Sequence, residues 1–221
     1  MQKTEKNFCN KCRQFTNHSF LHKEERSETE EIDYNYVINS FDGYDLLSCL
    51  GCEHVHLRHT QKYSENNGEE HITQSRYPAL MARSKPRWVG LVFDSPFWTG
   101  DTYIEKTLEE IYIALSNKCP QLAGMGIRAL LEFIMIDKVK DQGGFQKNLD
   151  AFCSSGHITL AQKQRLSDVL EVGHATMHRQ YIPNMSDLNT SLDIVELLIE
   201  NIYVHEGKAE SMRKRIPPRS K

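Results

Sequence analysis

Cys9-Asn10-Lys11-Cys12 and Cys49-Leu50-Gly51-Cys52 each place two residues between a pair of cysteines. This spacing lets a tight turn direct both sulfur atoms toward one tetrahedral Zn²⁺ ion, and two such pairs supply four ligands. Four thiolates leave no open coordination position, so we expect a structural zinc site that does not activate water. Unpaired structural cysteines or a redox pair are the alternatives. One of His18, His54 and His56 could also replace a cysteine.

The composition is that of a folded protein that stays in the cytoplasm. Of the 221 residues, 39% are hydrophobic and 26% are charged, as in typical globular domains. We find no apolar run that could cross a bilayer and no secretory signal, so we expect no membrane association. Cytoplasmic thiols stay reduced, which favours metal binding over disulfides for the paired cysteines.

The charges are unevenly distributed along a mildly acidic chain. The formal net charge is −3, which does not indicate a general polyanion-binding surface. Basic residues are concentrated in the segments Arg76–Arg87 and Arg213–Arg219, and acidic residues in Glu24–Asp33. We expect the acidic segment to be a solvated loop or hairpin tip.

Residues 1–62 are predicted to form a small β-rich module around the metal. Residues 32–38 carry aromatic and β-branched side chains, and Asp42-Gly43 is a turn signal. Residues 63–100 are expected to be a connector, because Asn66-Asn67-Gly68 and several prolines interrupt regular structure there. We expect the aromatic residues of the connector to pack on a helical domain rather than to stack on nucleic-acid bases. These residues are Trp88, Phe93, Phe97 and Trp98.

Residues 101–206 are predicted to form an all-α domain, and residues 207–221 a basic tail. Asp101 or Thr102 can cap a first helix that ends near Asn117, and Thr159-Leu160-Ala161-Gln162 has the spacing of a capping box. The later helices are predicted at about 122–139, 145–153, 159–179 and 186–204. The fold class is therefore α+β, a small zinc ribbon followed by a helical bundle.

Glu171, His174 and His178 lie at positions i, i+3 and i+7 of the fourth predicted helix, so they share one face, and Arg179 follows directly. Three interpretations remain open. The histidines are partly buried polar residues near a helix end, or they bind a metal with further ligands from other helices. In the third interpretation, a histidine transfers a proton and an arginine stabilises a phosphoryl oxygen, as metal-independent RNA cleavage requires.

Several stretches resemble the domain-of-unknown-function family 4145 (DUF4145) over nearly the whole chain. They are the two cysteine pairs, Pro86-Arg87-Trp88, Gly126–Glu132 and Gly173–Arg179. That family resembles a branch of the HEPN helical superfamily, whose members often dimerise and often act as RNases or toxins in bacterial defence. The resemblance implies a HEPN-like bundle, a homodimer and an active site at the dimer interface. In the active HEPN pattern an arginine precedes the histidine, whereas residues 170–173 contain none before His178.

Taken together, these features predict a nucleic-acid-associated protein of bacterial defence or stress response, acting on RNA or DNA. If it is a ribonuclease with this degenerate motif, His178 is the expected general acid or base and His174 the second proton-transfer group. Arg179 or Arg128 would be the phosphate clamp. The alternative is a non-catalytic adaptor or assembly module that binds nucleic acid or a partner protein. The basic residues predicted to contact nucleic acid are Arg83, Lys85, Arg87 and Arg128.

Overall fold

The computed structural model describes residues 3–33, 36–64, 70–90 and 101–217. The chain divides into two compact units, Met1–Met81 and Ala82–Lys221. The first contains an antiparallel sheet and the second contains helices, so the predicted α+β class is confirmed. Among the described helices, none combines the length and apolar character that a membrane span needs.

The first unit is a five-stranded antiparallel meander in which each strand pairs with the next one along the chain. One face carries buried polar groups around Arg58. Its guanidinium donates to Glu5 at 2.5 Å and to Asp45 at 2.7 Å. These charge-assisted bonds join the first, third and fourth strands. The strands are β1 (Thr4–Cys9), β2 (Gln14–Asp33), β3 (Tyr36–Cys49), β4 (Val55–Ser64) and β5 (Glu70–Tyr77).

The acidic segment Glu24–Asp33 is not a loop. It forms the second half of β2, pairs with β3 and leaves its side chains exposed. Asp42-Gly43, predicted as a turn, lies inside β3, where Gly43 pairs with both neighbouring strands. A Cβ at Gly43 would lie 3.0 Å from the Phe41 ring, so glycine here makes room for a side chain rather than for a turn. The predicted stretch 32–38 crosses residues 34–35, which lie outside the described part of the chain.

The sheet extends beyond the boundary predicted at residue 62. β5 lies within the segment predicted as a connector, and the first unit ends at Met81. Most side chains of β5 are exposed, so this strand has no alternation of apolar and polar residues that would reveal it in the sequence. Trp88 is buried in the helical core, as predicted. The positions of Asn66–Gly68, Phe93, Phe97 and Trp98 lie outside the described residues.

The second unit contains the predicted helices and their predicted caps. The Asp101 carboxylate accepts from the Tyr103 backbone N–H at 2.7 Å, and Thr159 and Gln162 form a reciprocal capping box. These contacts satisfy backbone N–H groups that have no partner within the first helical turn. The helices are α1 (Thr102–Ser116), α2 (Pro120–Val139), α3 (Phe145–Ser154), α4 (Leu160–His178), α5 (Met185–Ile199) and α6 (Glu206–Arg215).

The fifth predicted helix is longer than expected. A π-helical segment, Glu200–His205, joins α5 to α6, so much of the predicted basic tail is helical. No proline occurs between Met185 and Ile216, and the chain therefore has no strong stop signal there. Buried residues from α1 to α5 and the π-helical segment form one hydrophobic core around α2, which contributes Ile127, Leu130, Leu131, Ile134 and Met135.

Candidate functional site

The two cysteine motifs form turns of the same geometry. Cys9 ends β1 and Cys49 ends β3. Four residues after each, Arg13 and Glu53 adopt left-handed backbone conformations, with φ of 55° and 60°. Each of these residues donates its N–H to the carbonyl of the first cysteine of its motif, at 2.7 and 2.8 Å. The turns therefore reverse the chain and bring the second cysteine of each pair, Cys12 or Cys52, next to the first.

The four sulfur atoms converge on one point. The sulfurs of Cys9 and Cys52 are 3.5 Å apart, those of Cys12 and Cys49 are 3.8 Å apart, and all four lie within 4.8 Å of one another. A tetrahedral zinc site with Zn–S bonds of about 2.3 Å has S–S edges of about 3.8 Å. The cysteines are not disulfide-bonded. Their spacing therefore fits four ligands of a single metal ion.

Two thiols of the cluster, those of Cys49 and Cys12, differ in pKa. Burial opposes ionisation of Cys49, yet hydrogen bonds from the Thr16 hydroxyl and from the N–H groups of Gly51 and Cys52 lower its pKa to about 6. A hydrogen bond with Cys52, together with burial, raises the pKa of Cys12 to about 12. Hydrogen bonding in the cluster thus favours the thiolate form of Cys49 and disfavours that of Cys12, and a bound cation would favour the thiolate form.

The nearby histidines lie outside this cluster. The buried His18 ring forms a hydrogen bond from Nδ1 to the Thr16 carbonyl at 3.0 Å. It also contacts the His56 ring edge to face, with the ring centroids 5.0 Å apart. Burial, followed by the charge of Arg76, lowers the pKa of His56 to about 4. Within the described ranges, the four cysteines form the one group with metal-ligand spacing.

On the helical unit, the predicted histidine face lies at the end of α4. His174 is half-buried and His178 is exposed, with their ring centroids 4.7 Å apart. The Arg179 guanidinium donates to the Glu171 carboxylate, and both side chains are more than half exposed. No metal-ligand group includes these residues in the part of the chain described. The half-buried His174 agrees with the interpretation of partly buried polar residues near a helix end, whereas His178 is more exposed than that interpretation expects.

Arg128 is used in helix packing. Its guanidinium lies 3.7 Å from the centroid of the Phe145 ring and donates to the Leu170 carbonyl at 2.9 Å. Its aliphatic part crosses α4 at Gly173, where a Cβ would lie 2.5 Å from the Arg128 Cβ. Burial lowers the pKa of Arg128, while the charges of Glu132 and Glu171 oppose this effect. The side chain is therefore held between helices α2, α3 and α4.

Two of the three basic residues predicted before α1 contact acidic groups. Arg83 donates to Asp193 at 2.8 Å and to Glu196 at 2.6 Å on α5, and Tyr112 donates to the same Glu196 carboxylate at 2.5 Å. Lys85 lies 3.7 Å from the carboxylate of Glu109 on α1. Arg87, in contrast, is exposed. Because the acidic partners lie far away in sequence, the charge pattern alone could not reveal these pairs.

Residues 109–215 match the model of a protein family described as "Domain of unknown function (DUF4145)". The predicted resemblance to DUF4145 is therefore confirmed for this helical region. The match begins within α1 and ends with α6, so it is narrower than the predicted resemblance and leaves the cysteine-bearing unit outside. No curated protein and no solved structure matches the chain.

Proposed function

We propose that the β unit is a zinc ribbon that binds one structural Zn²⁺ ion through Cys9, Cys12, Cys49 and Cys52. The convergence of their four sulfurs carries this proposal. Thiolate sulfur is a soft ligand that suits zinc, and a complete set of four protein ligands leaves no position for substrate. Bound zinc would cross-link the two turns. A reducing compartment such as the cytoplasm keeps these thiols available.

Metal analysis of the purified chain tests this proposal. We expect one zinc per chain in the wild-type protein and loss of the metal in Cys12→Ser. The matched control is Cys119→Ser, because Cys119 is also half-buried but lies outside the cluster. Folded wild-type protein without metal, or Cys12→Ser with its full zinc content, would refute the assignment.

We further propose that the protein is a nucleic-acid-associated, non-catalytic adaptor of bacterial defence or stress response. The resemblance of its family to HEPN proteins supports the nucleic-acid association. The arginines argue against catalysis, because Arg179 is paired with Glu171 and Arg128 is packed on Phe145. Neither guanidinium is positioned as a free phosphate clamp beside His178.

Salt dependence of nucleic-acid binding tests this role. Fluorescence anisotropy with single-stranded RNA and with duplex DNA should show affinity that falls steeply as salt rises, because phosphate contacts release counterions. Arg87→Gln should weaken binding to both. The control is Arg26→Gln, which removes an exposed arginine from the acidic part of β2. Absence of binding even at low salt would exclude the nucleic-acid association and leave a protein partner.

A metal-independent RNase is the second candidate, and the contact between the His174 and His178 rings at the surface favours it. In the homodimer that the family resemblance implies, these rings would lie at the subunit interface. Cleavage of labelled RNA without added divalent metal decides between the two roles. The adaptor predicts no cleavage. Cleavage by wild-type protein and by a control His22→Ala variant, with none by His178→Ala, would establish the RNase instead.

A further inference from the structure

The hydroxyl of Thr16 is part of the surroundings of the cysteine cluster, although its strand, β2, contributes no cysteine. Thr16 Oγ1 lies 3.1 Å from the sulfur of Cys49. Among the described residues, the Thr16 hydroxyl is the one side-chain group outside the four cysteines that forms a hydrogen bond with the cluster. The other donors to the sulfurs are backbone N–H groups, such as Gly51 to Cys49 at 3.4 Å.

The position of Thr16 is fixed from both sides of β2. Its backbone pairs with Asn7 of β1, and its carbonyl accepts a hydrogen bond from Nδ1 of His18 at 3.0 Å. His18 is fully buried, so the ring has little freedom to move. The neighbouring Asn17 carbonyl accepts from the N–H of Leu50, inside the second cysteine motif, at 2.9 Å. The hydroxyl is therefore preoriented toward Cys49.

The chemistry of a metal-bound thiolate determines the direction of this bond. A thiolate has no proton, so it can only accept, and the Thr16 hydroxyl must donate. Four thiolates around one divalent ion carry excess negative charge, which hydrogen-bond donors reduce. Because Thr16 also restricts the orientation of the Cys49 side chain, its hydroxyl can act on both the charge and the geometry of the ligand set.

We propose that Thr16 is a positioning residue of the metal centre, whose hydroxyl holds the Cys49 thiolate in place and slows release of zinc. This inference rests on the proposed zinc site. Loss of such an outer hydrogen bond typically weakens metal affinity by about 10–100-fold. Thr16→Val removes the hydroxyl and keeps the side-chain shape, whereas Thr16→Ser keeps the hydroxyl.

Competition with a chromophoric chelator measures the zinc affinity and release rate of the full chain. We expect Thr16→Val to bind zinc about 10-fold more weakly and to release it faster, and Thr16→Ser to remain near the wild type. Thr29→Val is the control, because its hydroxyl bonds Asn39 on an exposed part of the same unit. With Co²⁺ in place of zinc, Thr16→Val should also shift the thiolate-to-metal charge-transfer band to lower energy, which a purely packing role would not do.

Equal zinc affinity and equal Co²⁺ spectra for wild type and Thr16→Val would overturn the role of Thr16 while leaving the zinc site intact. Failure of the wild-type protein to bind zinc would instead refute the zinc site itself. If Thr16→Val does not fold, Thr16→Ala and Thr16→Ser provide the same comparison. Tighter binding by Thr16→Ser is expected, and equal affinity of the two variants would contradict the proposal.

Discussion

The two units of this chain are stabilised in different ways. In the helical unit, buried apolar side chains form one cluster that extends from Trp88 to Val204. In the described part of the β unit, the buried hydrophobic residues are Leu47 and two of the cysteines, Cys9 and Cys49. Much of the remaining buried surface of the sheet is polar, including His18, Asp45 and His56.

This difference indicates what each unit needs in order to fold. Burial of apolar surface contributes about 25 cal/mol per Å², and the helical unit has a core large enough to use it. The β unit does not, and small modules of this kind commonly depend on a metal. Structural zinc contributes about 10–16 kcal/mol in comparable modules at neutral pH. With the proposed zinc bound, the cysteine cluster would therefore take the place of a hydrophobic core in the first unit.

Removal of the metal should reveal the largest difference in stability between the two units. A strong chelator is expected to unfold the β unit and to leave the helical unit folded. Amide hydrogen exchange, resolved along the sequence, measures this effect: protection should be lost between residues 4 and 77 and retained in α1 to α5. Added zinc should restore the protection. A β unit that stays protected without metal would show that its polar contacts suffice.

A cavity in the helical core should produce the opposite pattern. Leu130 is fully buried in α2, so Leu130→Ala is expected to cost the helical unit about 2–5 kcal/mol. Zinc content should not change. Denaturant unfolding followed by circular dichroism measures the loss. Leu122→Ala is the matched control on the same helix, because Leu122 is exposed; equal losses in the two variants would mean that burial of Leu130 does not stabilise this unit.

The smallest expected effect is a pH dependence of the stability of the helical unit. Burial opposes ionisation of Asp137, but hydrogen bonds from Lys138 and Tyr203 outweigh it and lower its pKa. A carboxylate with a lowered pKa stabilises the fold above its unfolded-state pKa, and this stabilisation is lost as pH falls through the folded-state value. Because Asp137 is partly exposed, the effect should be below about 1 kcal/mol.

Comparison of wild type with Asp137→Asn tests this. The variant should be less stable at pH 7, and the difference should begin to shrink below about pH 4, the unfolded-state pKa of aspartate, and disappear below the lower folded-state pKa. Thermal unfolding of the helical unit at several pH values provides the measurement. A difference that stays constant across this range would mean that the charge of Asp137 is not responsible.

The features that were predicted correctly depend on neighbours close in sequence. The caps at Asp101 and Thr159 use donors within three residues, and each cysteine motif closes its own turn. The convergence of the two motifs was predictable as well, because zinc needs four ligands and each motif supplies two.

The exposed strands and the partners of the charged residues could be recognised only in the tertiary structure. The second half of β2 and much of β5 lack a buried face, so no periodicity distinguished them from loops. Arg83 was predicted to contact nucleic acid, but in the structure it pairs with carboxylates on α5, more than a hundred residues away in sequence. Thr16 gave no signal, since its proximity to Cys49 follows from strand pairing. The sequence by itself determined the features that depend on short spacings, such as helix caps and cysteine turns. The partner of a charged group or a hydroxyl depends on which distant segments the fold brings into contact, so only the tertiary structure decided it.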